Sequence, residues 1–155
     1  MQYRETFTEQ PVREKRVLAY ATGAEHKDSV VLESSLGTSF SYTESMTGHT
    51  VSGKKYVSGQ LIAKIANTNH GGKVGRYGPY TPAATDGRGD TAGVAPSSLR
   101  VLIKDQVATF GDVPAAAYVD FCVFDEAQLV SYSGNENKVK AAMPRCRFTT
   151  ISRLD

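Results

Sequence analysis

The sequence predicts a mostly β domain with one short helix, and three observations support this. Short runs of β-branched and aromatic residues are separated by glycine, proline and asparagine, as in strands linked by turns. Only residues 135–143 (NENKVKAAM) have the composition and spacing of a helix, which Pro144 ends. The chain shows no internal repeat and no alternation of strands with helices, which argues against a parallel α/β sheet.

Length and composition exclude several function classes. A chain of 155 residues fits one domain. The first 20 residues are charged and polar, so we expect no secretory leader, and no apolar run reaches the length of a membrane helix. The net charge of +2 is too small and dispersed to indicate direct nucleic-acid binding. Three scattered histidines are expected at the surface, not as metal ligands or catalytic bases: His26, His49 and His70.

The chain divides into a polar arm, residues 1–15, and a single β-rich domain, residues 16–155. The arm has neither a helical nor an alternating apolar pattern, so we expect it to be flexible. Residues 16–20 (RVLAY) and 29–32 (SVVL) are short β-prone runs. Residues 37–59 are rich in Ser, Thr and Gly and are expected to form irregular strands and loops.

Further strands are predicted at residues 60–66 (QLIAKIA), 99–103 (LRVLI) and 147–151 (RFTTI), with a turn at residues 67–72. The first of these alternates in period two, which predicts a half-buried strand. Its members divide between two faces: Leu61, Ala63 and Ile65 on one, and Ile62 on the other.

Residues 115–124 (AAAYVDFCVF) give the strongest strand signal in the chain. The face predicted to enter the core is Val119, Phe121 and Val123. The second face, predicted to be wetter or covered by another element or subunit, is Tyr118, Asp120, Cys122 and Phe124. We therefore expect one continuous strand that needs cover on both sides.

Residues 76–95 (RYGPYTPAATDGRGDTAGVA) contain two well-known short patterns. A dinucleotide-binding G-x-G-x-x-A match starts at Gly87, but it lacks the preceding strand and the following helix that place a pyrophosphate at a helix N-terminus. The RGD tripeptide at residues 88–90 is interpreted as a solvated turn and not as a cell-adhesion tip.

Nothing in the sequence predicts catalysis or a cofactor. No serine, cysteine or carboxylate has a spacing that implies a nucleophile with its base, so no catalytic, cofactor-binding or metal residue is predicted. The two cysteines, Cys122 and Cys146, lack metal-ligand spacing. They are either two partly buried thiols or, if the fold brings them together, a disulfide.

Several pieces of the sequence, in order, resemble phage head decoration proteins of the lambda type. Residues 59–65 (GQLIAKI) are similar to a G-x-V-L-G/A-K-I motif, and residues 80–87 (YTPAATDG) to a Y-x-P-A-A-x-D-G loop. Residues 92–94 and 112–129 resemble the segments that follow, and residues 5–8 (ETFT) resemble the opening of the family's lambda member. Residues 16–58 depart from the family pattern.

This resemblance implies a compact β-clip-like domain that assembles as a homotrimer. It also implies a cementing role on the outer surface of the virion. Trimers made in the host cytoplasm would bind the major capsid protein at three-fold positions of the expanded head, with no cofactor, catalysis or membrane involved. The residues that the resemblance implies as capsid contacts are Glu5, Thr6, Phe7 and Thr8. The residues that it implies for the structural loop are Pro82, Asp86, Gly87 and Gly93.

Two alternatives stay open at this point. A β-clip enzyme of the dUTP pyrophosphatase type would share the fold, but its C-terminal Gly-rich arm has no counterpart in RFTTISRLD. A different virion surface or tail module would bind glycan or host cells instead of the capsid.

Overall fold

The computed structural model describes residues 17–19 and 24–151. Within them the chain is mostly β with one α-helix, as the sequence predicted. The strands are β1 (Lys27–Leu32), β2 (Thr38–Thr43), β3 (Thr50–Tyr56), β4 (Leu61–Lys64), β5 (Tyr77–Pro79), β6 (Arg100–Leu102), β7 (Gln106–Val107), β8 (Val113–Tyr118), β9 (Val123–Asp125) and β10 (Arg147–Thr149). The helix α1 spans Glu136–Ala142, and short 3₁₀ helices span Ser34–Leu36 and Glu126–Gln128. No helix in this part of the chain is long and apolar enough to cross a membrane.

Five strands close into a barrel in the order β1–β5–β4–β6–β8, with β8 paired back to β1. The β1–β8 pair is antiparallel over six positions, with Lys27 opposite Tyr118 and Leu32 opposite Val113. The β1–β5 contact is parallel and confined to Leu32 opposite Tyr77. Because closure pairs each of these strands on both sides, the free edges among the described strands belong to the two smaller sheets.

The core has two parts, and the strands of the barrel separate them. One part fills the barrel, because every barrel strand contributes at least one buried side chain to it, as inward-facing positions do. The other lies against the outside of the barrel and contains Leu61, Ala63 and Val101 together with residues of the C-terminal segment. On β4, Ile62 belongs to the first part and its neighbours Leu61 and Ala63 to the second. The alternation predicted for this strand is confirmed, but both faces are buried and not one.

The C-terminal segment folds onto the outer core part. Strand β10 pairs parallel with β9, and residues 17–19 lie antiparallel on the other side of β9 through a bridge between Leu18 and Phe124. Helix α1 contributes the fully buried Val139. Phe148 from β10 stacks on Tyr132 with 5.3 Å between ring centroids. Phe124 of β9 in turn packs edge-on against Tyr118 of barrel strand β8, with 6.2 Å between ring centroids, so aromatic rings attach the segment to the barrel.

The predicted strand over residues 115–124 is wrong in one respect, because it is two strands. Strand β8 ends at Tyr118 and β9 begins at Val123, and between them Phe121 has a left-handed φ of 57°. The predicted faces are also reversed. Phe121 is half exposed, whereas Tyr118, Cys122 and Phe124 are buried in the outer core part of the same chain. Counting in steps of two grouped these three residues correctly, but the side assigned to the core was the wrong one, because the C-terminal segment packs over the outside of the barrel.

Residues 37–59 also differ from the prediction. We expected irregular strands and loops, and the strands form a regular antiparallel hairpin, in which β2 and β3 pair over six positions. Ser and Thr are compatible with strand structure, and cross-strand contacts such as Thr43 Oγ1 to Thr50 Oγ1 at 3.2 Å support the register. Of the predicted strand at residues 16–20, the described part makes only the Leu18 bridge; its two ends lie outside the described residues.

Candidate functional site

The site residues predicted from the sequence fall into two groups. The expected capsid contacts lie outside the described residues: Glu5, Thr6, Phe7 and Thr8. The expected structural-loop residues are all described: Pro82, Asp86, Gly87 and Gly93. Within residues 17–19 and 24–151, no three His, Cys, Asp or Glu side chains are arranged to hold a metal ion. Two features remain as functional candidates, the loop around Asp86 and the exposed β2–β3 hairpin.

The loop is built on a buried ion pair between Asp86 and Arg88. Arg88 Nε lies 2.8 Å from Asp86 Oδ2, and the two side chains are 7% and 0% exposed. The backbone N–H of Arg88 also donates to Asp86 Oδ1 at 3.2 Å, and its Nη1 donates to the carbonyl of Pro79 at 3.1 Å. The interpretation of the RGD tripeptide as a solvated turn is therefore wrong, because its arginine points inward and neutralises a buried carboxylate.

Asp90, the third residue of that tripeptide, joins the loop to the C-terminal helix. Its carboxylate accepts hydrogen bonds from the Tyr80 hydroxyl at 2.7 Å and from Lys138 Nζ at 2.6 Å. Burial acts to raise the pKa of Asp90, but the hydrogen bonds from Lys138 and Tyr80 outweigh it and hold the pKa below its ordinary value. An adhesion tip needs a free, projecting aspartate, and this one is engaged on two sides.

The glycines of the loop allow close backbone packing. Gly87 has a φ of +100°, and a Cβ there would lie 2.7 Å from Ala66 Cβ. A Cβ on Gly89 would lie 2.0 Å from the carbonyl oxygen of Ala84. Main chain therefore occupies the space next to Gly89 that a phosphate would need, and the dinucleotide pattern is a coincidence of spacing. The loop is scaffolding.

The β2–β3 hairpin is the more exposed candidate, and its two faces differ. Adjacent residues on a strand point to opposite faces, and the register therefore groups the side chains. One face, named here the outer face, carries Phe40, Tyr42, Val51 and Val107. Val51 and Val107 are 41% and 50% exposed, and Phe40 and Tyr42 are half-buried. The opposite face carries mainly exposed serine and threonine, so the apolar side chains of the hairpin share one partly exposed face.

The outer edge of the hairpin is also free. Strand β2 pairs only with β3 among the described strands. The hydrogen bond from Glu44 N–H to the His49 carbonyl, at 2.8 Å, fixes which residues bond across the hairpin. Counting back in steps of two, Tyr42 and Phe40 bond to β3, and the residues that alternate with them direct their N–H and C=O groups to the free edge. These residues are Ser39, Ser41 and Thr43.

This edge lacks the usual protection against pairing. Strand β2 (TSFSYT) contains no charged residue and no proline, and its pairing with β3 runs through all six positions without a bulge. Positive charge lies at one end of it. Lys54 Nζ donates to Ser39 Oγ at 2.8 Å on one face, and Lys55 Nζ lies 5.7 Å from the Phe40 ring centroid on the other. The edge can therefore accept an extended segment that carries apolar and acidic side chains.

An exposed aromatic side chain lies at the break between β8 and β9. Phe121, at the left-handed break, is 50% exposed and packs between the His26 ring, 5.1 Å away, and the Arg145 guanidinium, 5.3 Å away. Arg145 in turn donates to Asp120 at 3.0 Å. Each of these partners belongs to the same chain, and they hold the ring in place.

Sequence reasoning missed the hairpin because Ser and Thr also mark loops. The available signal was the alternation in TSFSYT and TVSGKKY, which places Phe40, Tyr42 and Val51 at period two on either side of a polar turn. That alternation predicts one apolar face. The free edge itself has no signature in the sequence of β2, because pairing depends on the rest of the fold.

No family model, curated protein or solved structure matches this chain.

Proposed function

We propose that this protein is a head decoration protein of a phage, with a β-clip-like fold. It would bind as a homotrimer to the outer surface of the expanded capsid, at three-fold positions, and stabilise the head against the pressure of packaged DNA. It acts by binding the major capsid protein and performs no catalysis. The resemblance over residues 59–129 and 5–8 suggests the family.

The structural observation that carries this proposal is the unprotected edge of β2 beside an apolar outer face. Soluble proteins blunt exposed edges, since unpaired N–H and C=O groups otherwise recruit further strands. A six-residue uncharged edge fits a protein that works by binding others. The occupant we assign to it is an extended segment of the major capsid protein. Its backbone would pair with Ser39, Ser41 and Thr43, and its acidic side chains would meet Lys54 and Lys55.

A trimer presents three such edges at once, together with three N-terminal arms. Once one site binds, the others are held near their partners, so contacts of modest affinity combine into tight attachment. A trimer that binds the expanded capsid and not its precursor also stabilises the expanded form by mass action. Cementing therefore needs no strong individual contact.

The experiment is decoration of expanded heads from the phage that encodes this chain, imaged by electron microscopy with and without added protein. Density at the three-fold positions that appears only with the protein supports the proposal. Heads that gain no density overturn it. Density confined to the tail, or binding to host cells instead of heads, would indicate a different virion module, and turnover of dUTP by the purified protein would indicate the enzyme.

The edge is tested by Ser41→Pro. The Ser41 N–H points away from β3, so proline removes a donor from the free edge without removing a hairpin hydrogen bond, and proline is tolerated on edge strands. We expect the variant to stay folded and to lose at least tenfold in capsid affinity. Ser41→Ala is the matched control, because it keeps the N–H and should bind like the wild type.

A further inference from the structure

Cys122 and Cys146 are the residues that immediately precede the paired strands β9 and β10. In the parallel β9–β10 pair, Arg147 is opposite Val123, and one residue back along both strands Cys146 is opposite Cys122. The Arg147 N–H donates to the Cys122 carbonyl at 2.9 Å, which fixes the backbones at this end of the pair. Residues opposite each other in register point to the same face of a sheet.

The spacing of paired strands suits a covalent link between residues at these positions. Neighbouring strands lie about 4.8 Å apart, which is inside the range of roughly 4.4–6.8 Å that disulfides span between Cα atoms. Neither cysteine is in a disulfide in this structure. The Cys146 thiol is 3.7 Å from the carbonyl of Val119, and the Cys122 thiol is 3.3 Å from that of Asp120, so both sulfurs lie beside the same break between β8 and β9.

The two thiols differ in access. Cys122 is 1% exposed and belongs to the outer core part, whereas Cys146 is half-buried and packs against that core part from outside. Burial is the main cause that raises the pKa of the Cys122 thiol to about 12, and the neighbouring Cys146 adds to it. Burial also raises the pKa of the Cys146 thiol. Thiolate is therefore scarce at neutral pH, which makes oxidation slow without preventing it.

We propose that Cys122 and Cys146 form an intramolecular disulfide when the protein meets a small-molecule disulfide oxidant. The Cys146 thiolate attacks the oxidant, forms a mixed disulfide and releases one small thiolate. The Cys122 thiolate then attacks Cys146 Sγ and displaces the second small thiolate. Both cysteines are oxidised, one oxidant molecule is reduced to two thiols, and these take up the two protons.

The link would close a loop of residues 123–145, which contains β9 and the helix α1, and would tie the residue before β10 to the segment that follows barrel strand β8. Cross-links stabilise largely by restricting the unfolded chain. If the proposed function is correct, the thiols would stay reduced during assembly in the cytoplasm and join after release into an oxidising medium. Only this timing rests on the proposed function; the link itself rests on strand register.

The test is incubation of the purified full-length protein with oxidised glutathione, followed by intact mass measurement. We expect the loss of two hydrogens, a non-reduced tryptic peptide joining Cys122 to Cys146, and a rise of about 5 °C or more in unfolding temperature that dithiothreitol reverses. In Cys122→Ser the reaction should stop at the glutathione adduct of Cys146. Cys146→Ser should react little, because its remaining thiol is buried.

Three outcomes overturn the proposal. Both thiols could remain unmodified in the wild type. The wild type could stop at a stable glutathione adduct with the second thiol still reduced. The product could instead be a disulfide-linked dimer of chains. Each of these can be read from the mass alone, and none depends on whether the protein binds a capsid.

Discussion

Asp86 and Arg88 form a buried ion pair across a single glycine, with Arg88 Nε 2.8 Å from Asp86 Oδ2. The first prediction follows from this pair. Arg88→Ala leaves the Asp86 carboxylate buried without its partner, and breaking a buried pair from one side costs about 3–5 kcal/mol of unfolding free energy. We expect urea denaturation to show a loss of that size.

Two comparisons make this measurement specific. The double variant that combines Asp86→Ala and Arg88→Ala should lose less unfolding free energy than the two single variants lose in sum. The reason is that it leaves neither buried charge without a partner. Lys73→Ala removes an ammonium that is 68% exposed and should change stability by no more than about 0.5 kcal/mol. A loss of that small size for Arg88→Ala would show that the arginine is solvated after all.

Sequence could not reveal this pair, although it revealed the turn. Asp-Gly is a turn signal wherever it occurs, and the structure gives Gly87 the positive φ that such a turn needs. Whether Arg88 points outward or inward depends on what packs over the loop, which is Pro79 and the end of β4. Those contacts are distant in sequence, and no local pattern encodes them.

The same distinction explains the rest of the fold. Elements with a strong local signature, such as β1 and α1, were predicted to within a few residues. The break at Phe121 was not predicted, since a bulky aromatic in the left-handed region is unfavourable and local propensity argues against it. Of the candidate site, the alternation of the hairpin was readable, whereas its free edge depends on which strands the barrel uses.

The second prediction concerns Gly87. Gly87→Val combines a left-handed φ with a Cβ that would meet Ala66 and the carbonyl of Lys64, 2.9 Å away, so we expect a loss of about 3 kcal/mol or more, or failure to fold. Gly71→Val is the control, because Gly71 has a φ of +80° with open space around it. That change should lose about 1–2 kcal/mol of unfolding free energy, which is the cost of placing a residue with a side chain at a left-handed φ. Equal losses in thermal melts would exclude close packing as the cause.

The third prediction is a pH dependence through Asp90. Its pKa is lower in the folded protein than in the unfolded chain, where it is about 3.9. The stability it contributes is therefore fully present above that unfolded value and is lost as the pH falls through the lower, folded pKa. The stability difference between the wild type and Asp90→Asn should be constant from pH 7 to about pH 5 and shrink below about pH 4.

Urea denaturation at a series of pH values checks this, and Lys138→Met provides the comparison. Removing the ammonium that donates to Asp90 should weaken the same pH dependence without abolishing it, since the Tyr80 hydroxyl still donates. A difference between wild type and Asp90→Asn that grows as the solution is acidified would contradict the assignment.

The fourth prediction is that the free protein is a trimer. It rests on the family resemblance alone, because Tyr118, Cys122 and Phe124, once expected to need cover from another subunit, are covered by their own chain. Multi-angle light scattering at micromolar concentration should give three times the mass of the 16.7 kDa chain. A monomer across the whole concentration range would remove the basis for three-fold attachment and leave single-site binding by the β2 edge.

The fifth prediction separates the arm from the hairpin edge. Residues 1–15 have no core pattern in their sequence, and they lie outside the described residues. Deleting them should leave the oligomeric state and unfolding temperature nearly unchanged while capsid binding falls sharply, because we expect Glu5, Thr6, Phe7 and Thr8 to pair with an edge of the capsid protein.

Phe7→Ala should reproduce much of that loss, since burying a phenylalanine contributes about 2 kcal/mol or more, whereas ordering each backbone residue of the arm costs about 1 kcal/mol. Ser41→Pro in the same assay reports on the hairpin instead. If both changes weaken decoration and the double variant weakens it further, the two contacts act together, as multivalent attachment requires. If the truncated protein decorates heads as well as the full chain and only Ser41→Pro fails, the hairpin edge alone is the attachment surface.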